Sequence, residues 1–242
     1  MPVSLKSQTV LVVGASSGIG RSIALHFARE GANVMASARR QDRLEDLQGE
    51  LAQENIDIGI SIADASNASA MEELVARTVE QFEKIDILVY ASGTNTLDRA
   101  MGKLSVRTWD DVICVNLNGA YYATRAVLPA MRVRKGGHLI YIASISGLVP
   151  DLSGAAYQAS KRGMLGMAHA IRVEEKENGI RTCVICPGLV DTEILEKRPV
   201  KPPPEMLAKA LQAEDVAEAV LFAAKLPPRA VVPEMELMPT VL

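Results

Sequence analysis

Thr9-Val10-Leu11-Val12-Val13-Gly14-Ala15-Ser16-Ser17-Gly18-Ile19-Gly20 is the stretch whose reading decides the fold. Its first five residues are apolar or β-branched and read as a strand buried on both faces. The glycines after it permit a tight turn and a close approach of backbone to a bound group. Over residues 21–30, Ile23, Ala24, Phe27 and Ala28 recur at helical spacing, and 33–37 (Asn-Val-Met-Ala-Ser) reads as a second strand. Strand, glycine-rich turn, helix, strand is the context in which such a loop cradles a dinucleotide pyrophosphate at the positive end of a helix. The spacing here is Gly-x-x-x-Gly-x-Gly, not the commoner Gly-x-Gly-x-x-Gly.

Downstream the alternation continues. Strands are expected at 56–62, 85–89, 138–142, 180–185 and near 231–237, and helices at 40–54, 70–83, 108–132, 155–178 and 214–225. This pattern argues for an α/β fold, a doubly wound parallel sheet with helices on both faces. With 242 residues, 48% of them hydrophobic, the chain can bury one large core as a single domain. No internal repeat or interdomain linker is visible.

Tyr157 and Lys161 stand four residues apart on an expected helix, with Ser144 upstream and Asn116 further back. Positions i and i+4 share a helix face, Cβ atoms roughly 5–6 Å apart. An ammonium beside a phenol favours the phenolate and draws the tyrosine pKa down from about 10. Such a tyrosine can give or take a proton at a carbonyl or alcohol oxygen, which the Ser144 hydroxyl could fix. Singly, Ser144 reads equally well as a turn cap and Asn116 as a loop hydrogen-bonder; the set carries the chemistry.

These residues together resemble the short-chain dehydrogenase/reductase family in its compact form, and the resemblance covers essentially the whole chain. Gly14, Gly18 and Gly20 match its cofactor loop, Asp64 its acidic residue after the third strand, and Val115-Asn116-Leu117 its active-site asparagine. Ser144, Tyr157 and Lys161 match its catalytic residues, and Pro187-Gly188 with Thr192 the segment that holds the nicotinamide carboxamide. The resemblance implies a seven-stranded Rossmann sheet of order 3-2-1-4-5-6-7. It further implies a cofactor lying along Gly14, Ser16, Ser17, Gly18, Ile19, Gly20, Arg39, Asp64, Ala65, Ser92, Gly93, Tyr157, Lys161, Pro187, Gly188, Val190 and Thr192. It gives Asn116 a water that links Lys161 to solvent, and it puts a short substrate loop at about 189–213. Two departures stand out. Tyr90-Ala91-Ser92-Gly93 replaces the usual Asn-Asn-Ala-Gly, putting a sheet brace in doubt, and Val13 stands where a threonine is common.

The cofactor expected is NADP(H). NAD-preferring members carry an acidic residue at the end of the second strand, where this chain has Ala38 followed by Arg39. A guanidinium there can pair with a 2′-phosphate and stack on adenine. The alternatives are an NAD-dependent alcohol dehydrogenase of the same fold, a non-catalytic NADP(H)-binding redox sensor, or a nucleotide-sugar epimerase. The last usually needs a larger C-terminal substrate domain than the fifty residues after Thr192 supply.

Net charge of -3 gives no reason to expect nucleic acid or an acidic membrane surface as partner. The start is not that of a signal peptide, no stretch is long enough to span a bilayer, and the cytoplasm is the expected location. Cys183 and Cys186 have Cys-x-x-Cys spacing but fall in an expected strand, where residues three apart face opposite ways, so they read as core. His26, His138 and His169 lack ligand spacing, and no metal site is expected. Met101, Met164 and Met167 read as core or interface fillers.

Helices 108–132 and 155–178 carry small or apolar residues on more than one side, one of which a neighbouring subunit could cover, and the resemblance implies a dimer or homotetramer. Thr94, Ser146, Leu148, Leu152, Leu189, Val190, Ile194 and Leu195 are the expected pocket lining, mostly aliphatic, with no arginine aimed at a carboxylate. Lys197 and Arg198 lie just beyond, within reach of an anionic tail. The substrate expected is a small or medium aliphatic carbonyl or alcohol, with 3-oxoacyl thioesters and 3-hydroxy acids the classes implied by the resemblance.

Overall fold

Strands apolar on both sides need cover on both faces, and a parallel sheet between two helical layers gives it. The computed structural model describes residues 3–241. Its strands are β1 (Thr9–Val13), β2 (Asn33–Ala38), β3 (Gly59–Ile62), β4 (Ile87–Tyr90), β5 (Gly137–Ile142), β6 (Ile180–Pro187) and β7 (Glu234–Leu237). All pair in parallel in the order β3-β2-β1-β4-β5-β6-β7, the order the resemblance implied. β3 and β7 begin later than their apolar runs suggest, at Gly59 and Glu234. The chain moves from β1 outward to β3, then returns to β4 on the other side of β1. That reversal opens a crevice at the C-terminal ends of β1 and β4.

The helices are α1 (Gly18–Arg29), α2 (Gln41–Gln53), α3 (Ala68–Phe82), α4 (Val106–Ile113), α5 (Gly119–Arg134), α6 (Ala155–Glu174), α7 (Pro204–Leu207) and α8 (Ala213–Ala224). One core layer joins Ile23 and Phe27 of α1, Leu44, Leu47 and Leu51 of α2 and Val216 and Val220 of α8 to Val10, Val12 and Cys183. The other joins Leu74 of α3, Val127 of α5 and Met164 of α6 to Leu11, Val13 and Cys186. Each fully buried large side chain contributes about 1.5–3 kcal/mol. Cys183 and Cys186 thus sit in opposite layers, as the strand period requires. Met164 is buried, whereas Met101 is 75% exposed and fills no core within this chain. No helix among the described residues is long and apolar enough to cross a membrane.

Two departures from the expected elements matter for function. The helix expected at 155–178 ends at Glu174, followed by a 3₁₀ turn at Lys176–Asn178 and Gly179 in the left-handed region (φ 68°). The helix expected at 108–132 is interrupted by a π-helical turn, Cys114–Asn118, in which the Gly119 N–H donates to the Cys114 carbonyl five residues back. Asn116 sits in this turn.

Tyr90 accounts for the interruption and repairs the departure noted above. It is fully buried, and its hydroxyl donates to the Val115 carbonyl inside the π turn. Support that an asparagine usually lends from this strand end comes here from a longer side chain reaching further. Gly119 makes room for it. A Cβ at 119 would lie 2.2 Å from the Tyr90 hydroxyl oxygen and 2.6 Å from the Ala65 carbonyl oxygen.

Gly119→Ala is therefore expected to destabilise the fold by about 1–3 kcal/mol, the usual cost of overpacking. Urea denaturation checks this, and an unchanged midpoint would show that Tyr90 can step aside.

Candidate active site

The crevice between β1 and β4 is walled by backbone on its cofactor-loop side. Gly14 has φ 98°, and a Cβ there would lie 2.5 Å from the Ser92 amide nitrogen. A Cβ on Gly20 would lie 2.2 Å from the Gly14 carbonyl oxygen. Only glycine allows β1, α1 and the end of β4 to meet so closely. Ser17, at the N-cap of α1, makes no side-chain cap, so the first-turn N–H groups are left for an anion.

Every residue expected to hold the cofactor lines this one cleft. Gly14, Ser16, Ser17, Gly18, Ile19 and Gly20 form one wall, Arg39, Asp64 and Ala65 the far end, and Ser92 and Gly93 the centre. Tyr157, Lys161, Pro187, Gly188, Val190 and Thr192 form the other wall. Burial raises the Asp64 pKa, but the Ser66 amide and hydroxyl and the Arg39 charge outweigh it and hold the carboxyl below its usual range. Arg40, which motif reading passed over, also lines the cleft. Its guanidinium donates to Ser17 Oγ (2.7 Å) and Ser16 Oγ (3.1 Å) and pairs with Glu193 Oε2 (2.9 Å). Two arginines and two hydroxyls thus surround the place where a 2′-phosphate would fit.

Ser144, at the N-cap of a 3₁₀ turn (Ile145–Gly147), joins Tyr157 and Lys161 in the cleft. Lys161 is 3% exposed, its Nζ donates to the Ile142 carbonyl (2.8 Å), and burial pushes its pKa down to about 8. That ammonium lies 5.7 Å from the Tyr157 ring centroid. The phenol is not drawn below its ordinary value as the i, i+4 pairing suggests. Burial raises its pKa more than the Ser144 hydroxyl, Arg198 and Arg99 lower it, with Asp151 adding to the rise. Tyr157 is therefore protonated through neutral pH and stands ready as a proton donor.

Asn116 lies behind the lining, wholly buried. Its Oδ1 accepts the Thr94 N–H (2.7 Å), and its Nδ2 donates to the Thr94 carbonyl (3.0 Å) and to Ser160 Oγ (3.0 Å). The amide hydrogens are thus spent on tying the strand-to-loop exit after β4 to Ser160 of α6.

The outer pocket corrects the sequence reading. Thr94, Ser146, Leu189, Val190, Ile194 and Leu195 line it as expected. Leu148 instead packs against the core, and Leu152 is 95% exposed. The lining is not mostly aliphatic: Arg99, Asp151, Lys197 and Arg198 all face the cleft. Arg99 lay in a loop without periodicity or motif, so nothing near it in sequence pointed to the site. Its Nη2 bonds the carbonyl of Lys197, a contact only the fold creates.

Residues 8–202 match the short chain dehydrogenase family. The chain belongs to that family. It is 35% identical over 240 residues to an uncharacterized oxidoreductase of Staphylococcus saprophyticus, covering 98% of this chain and 99% of that one. Among solved structures it is similar to the closed form of a serine dehydrogenase complexed with NADP+ (TM-score 0.88, 35% identity, 97% and 96% of the two chains). It is also similar to the serine dehydrogenase of Escherichia coli (TM-score 0.84, 34% identity, 97% and 99%). This short-chain dehydrogenase is accordingly an oxidoreductase, and its family residues Ser144, Tyr157 and Lys161 meet in one cleft.

Asn116→Ala is expected to lower stability by about 1–3 kcal/mol for each buried group left unpaired, with the Thr94 amide and carbonyl the ones exposed to that loss. Urea denaturation measures it; a wild-type midpoint would mean that water replaces the amide without cost.

Proposed function

We propose that this oxidoreductase uses NADP(H) to interconvert a ketone and a secondary alcohol on a small or medium aliphatic substrate, such as a 3-oxoacyl thioester or a 3-hydroxy acid. The observation that carries this reading is the convergence of Ser144, Tyr157 and Lys161 on the cleft that the glycine loop also walls. The neighbouring serine dehydrogenase with NADP+ supports it, since serine is itself a 3-hydroxy acid. The nicotinamide, when bound, supplies or accepts the hydride.

The chain's own residues do the rest. Ser144 holds the substrate oxygen by hydrogen bond. Tyr157, protonated at neutral pH, gives its proton to the carbonyl oxygen in reduction and takes it back in oxidation. Lys161 holds the nicotinamide ribose, and its ammonium steadies the phenolate once the proton has left. Asn116 acts as a positioning residue, tying the Thr94 backbone to Ser160 of the helix that carries Tyr157 and Lys161. Pro187, Gly188 and Thr192 hold the carboxamide, and the segment at about 189–213 forms the substrate loop. Exposed Tyr121, Gly166, Ala170 and Val173 on α5 and α6 favour a dimer or tetramer. A cytoplasmic location completes the reading.

Tyr157→Phe should cut turnover by at least about 10²-fold, the usual worth of a positioned acid–base group. The assay is NADPH absorbance across acetoacetyl esters and thioesters, 3-hydroxy acids, steroids and quinones. Near-normal turnover in this variant would remove Tyr157 from the mechanism. For the cofactor, NADPH should bind more tightly than NADH. Replacing Arg39 or Arg40 by Ala should weaken NADPH binding on the order of tenfold or more, the worth of a charge-assisted hydrogen bond. Equal or tighter NADH binding in the wild type would overturn the assignment.

A further inference from the structure

We propose that the substrate carries a free carboxylate, held by Arg99 and Arg198, so that the pocket takes short hydroxy and oxo acids in preference to neutral esters or thioesters. This rests on the redox reading above and narrows its substrate class.

Arg99 is only 8% exposed, yet it faces the same cleft as Ser144 and Tyr157. Its Nε donates to the Thr96 carbonyl (3.0 Å) and its Nη2 to the Lys197 carbonyl, both neutral acceptors. A guanidinium has five N–H groups, so most of its donors are left over. Arg198 lines the cleft from the segment that Arg99 grips. Among the described residues neither arginine has a carboxylate within ion-pair distance. Lys197 adds a third positive charge to the same lining, its Nζ on Thr94 Oγ1.

The acidic group nearby, Asp151, bears on Arg99 only through space and forms no ion pair with it. Asp151 accepts from the Ser146 hydroxyl (2.6 Å), the Ser153 amide (2.8 Å) and the Ser153 hydroxyl (2.9 Å). Its carboxylate is thus spoken for within its own turn. Burial first, and then the charge of Arg198, depress the Arg99 pKa, outweighing the Tyr157 and Asp151 charges that raise it. Burying a cation without a counter-charge is costly, and a substrate carboxylate would relieve both at once.

The clamp is also preformed. Gly154, with φ 93°, leaves no room for a Cβ, which would lie 2.6 Å from Arg99 Cβ and 2.8 Å from its carbonyl oxygen. The Arg99 backbone is therefore pinned to the start of α6, the helix that carries Tyr157. Arg99, Arg198, Ser144 and Tyr157 line one cleft, and Arg99 is packed against Gly154, three residues before Tyr157, so a clamp here selects a short substrate. The cofactor's own phosphates would be held elsewhere, by the glycine loop and Arg40.

Calorimetric titration of the NADP+-loaded protein with 3-hydroxybutanoate and with its methyl ester tests this without relying on turnover. The acid should bind on the order of 10- to 100-fold more tightly, the range for hydrogen bonds to a charged group. Arg99→Gln and Arg198→Gln should each collapse most of that ratio while NADPH affinity is kept. Circular dichroism checks folding, and Arg198, less buried than Arg99, supplies a second variant should Arg99→Gln misfold. Equal binding of acid and ester by the wild type, or variants that keep the full ratio, would overturn the clamp. A parallel loss of NADPH affinity would overturn it too, by assigning the arginines to the cofactor. Turnover is followed separately: discrimination without oxidation of the acid would leave the clamp standing and remove the redox reading.

Discussion

Backbone lies against backbone where β1 ends, and the rest of the molecule is arranged around that contact. At Gly14 and Gly20 no side chain separates the glycine loop from the end of β4 or from its own helix. Because the loop folds back this tightly, α1 starts at Gly18 with its uncapped N–H groups facing the crevice. Because β4 then lies directly beside β1, Ser92 and Gly93 face the same crevice. From there the segment after β4 runs past Asn116 to Arg99, while β5 and β6 deliver Ser144 and the Pro187-Gly188 turn. Cofactor wall, proton-transfer groups and substrate end are thus positioned by one close approach.

The charges in the cleft are sorted by the chemistry they face. At the far end, Arg39 and Arg40 are partly exposed and balanced by Asp64 and Glu193. At the reacting end Lys161 is buried and Tyr157 half-buried, and desolvation is the largest influence on both, depressing the ammonium and raising the phenol. Both groups are thereby biased toward their neutral forms.

What was legible in the sequence follows the range of the interactions involved. The alternating strands and helices and the glycine loop could be read from local patterns, apolar runs and glycine spacing, whereas sheet order came only with the family resemblance. Element ends were less legible. The uninterrupted helix expected at 108–132 hid a π turn, since a one-residue shift of phase leaves both halves apolar and simply points them in different directions. Part of the apolar residue on several sides of that helix is this change of phase. Arg40, Arg99 and Asp151 were not legible as site residues, because each acquires its role from partners far along the chain or from a loop without period. The aliphatic pocket was misjudged for the same reason: Leu152 points to solvent and Arg99 inward, and no spacing rule distinguishes them.

Tyr90 and Gly119 share one small volume. The phenol hydroxyl occupies the space that any side chain at 119 would need, and its bond to Val115 holds the turn carrying Asn116. The two positions lie on different elements, yet residue 119 cannot gain a side chain while Tyr90 stays in place. Across descendants of this chain they should be inherited as a pair: a bulkier residue at 119 is admissible only in a lineage that has already shortened residue 90.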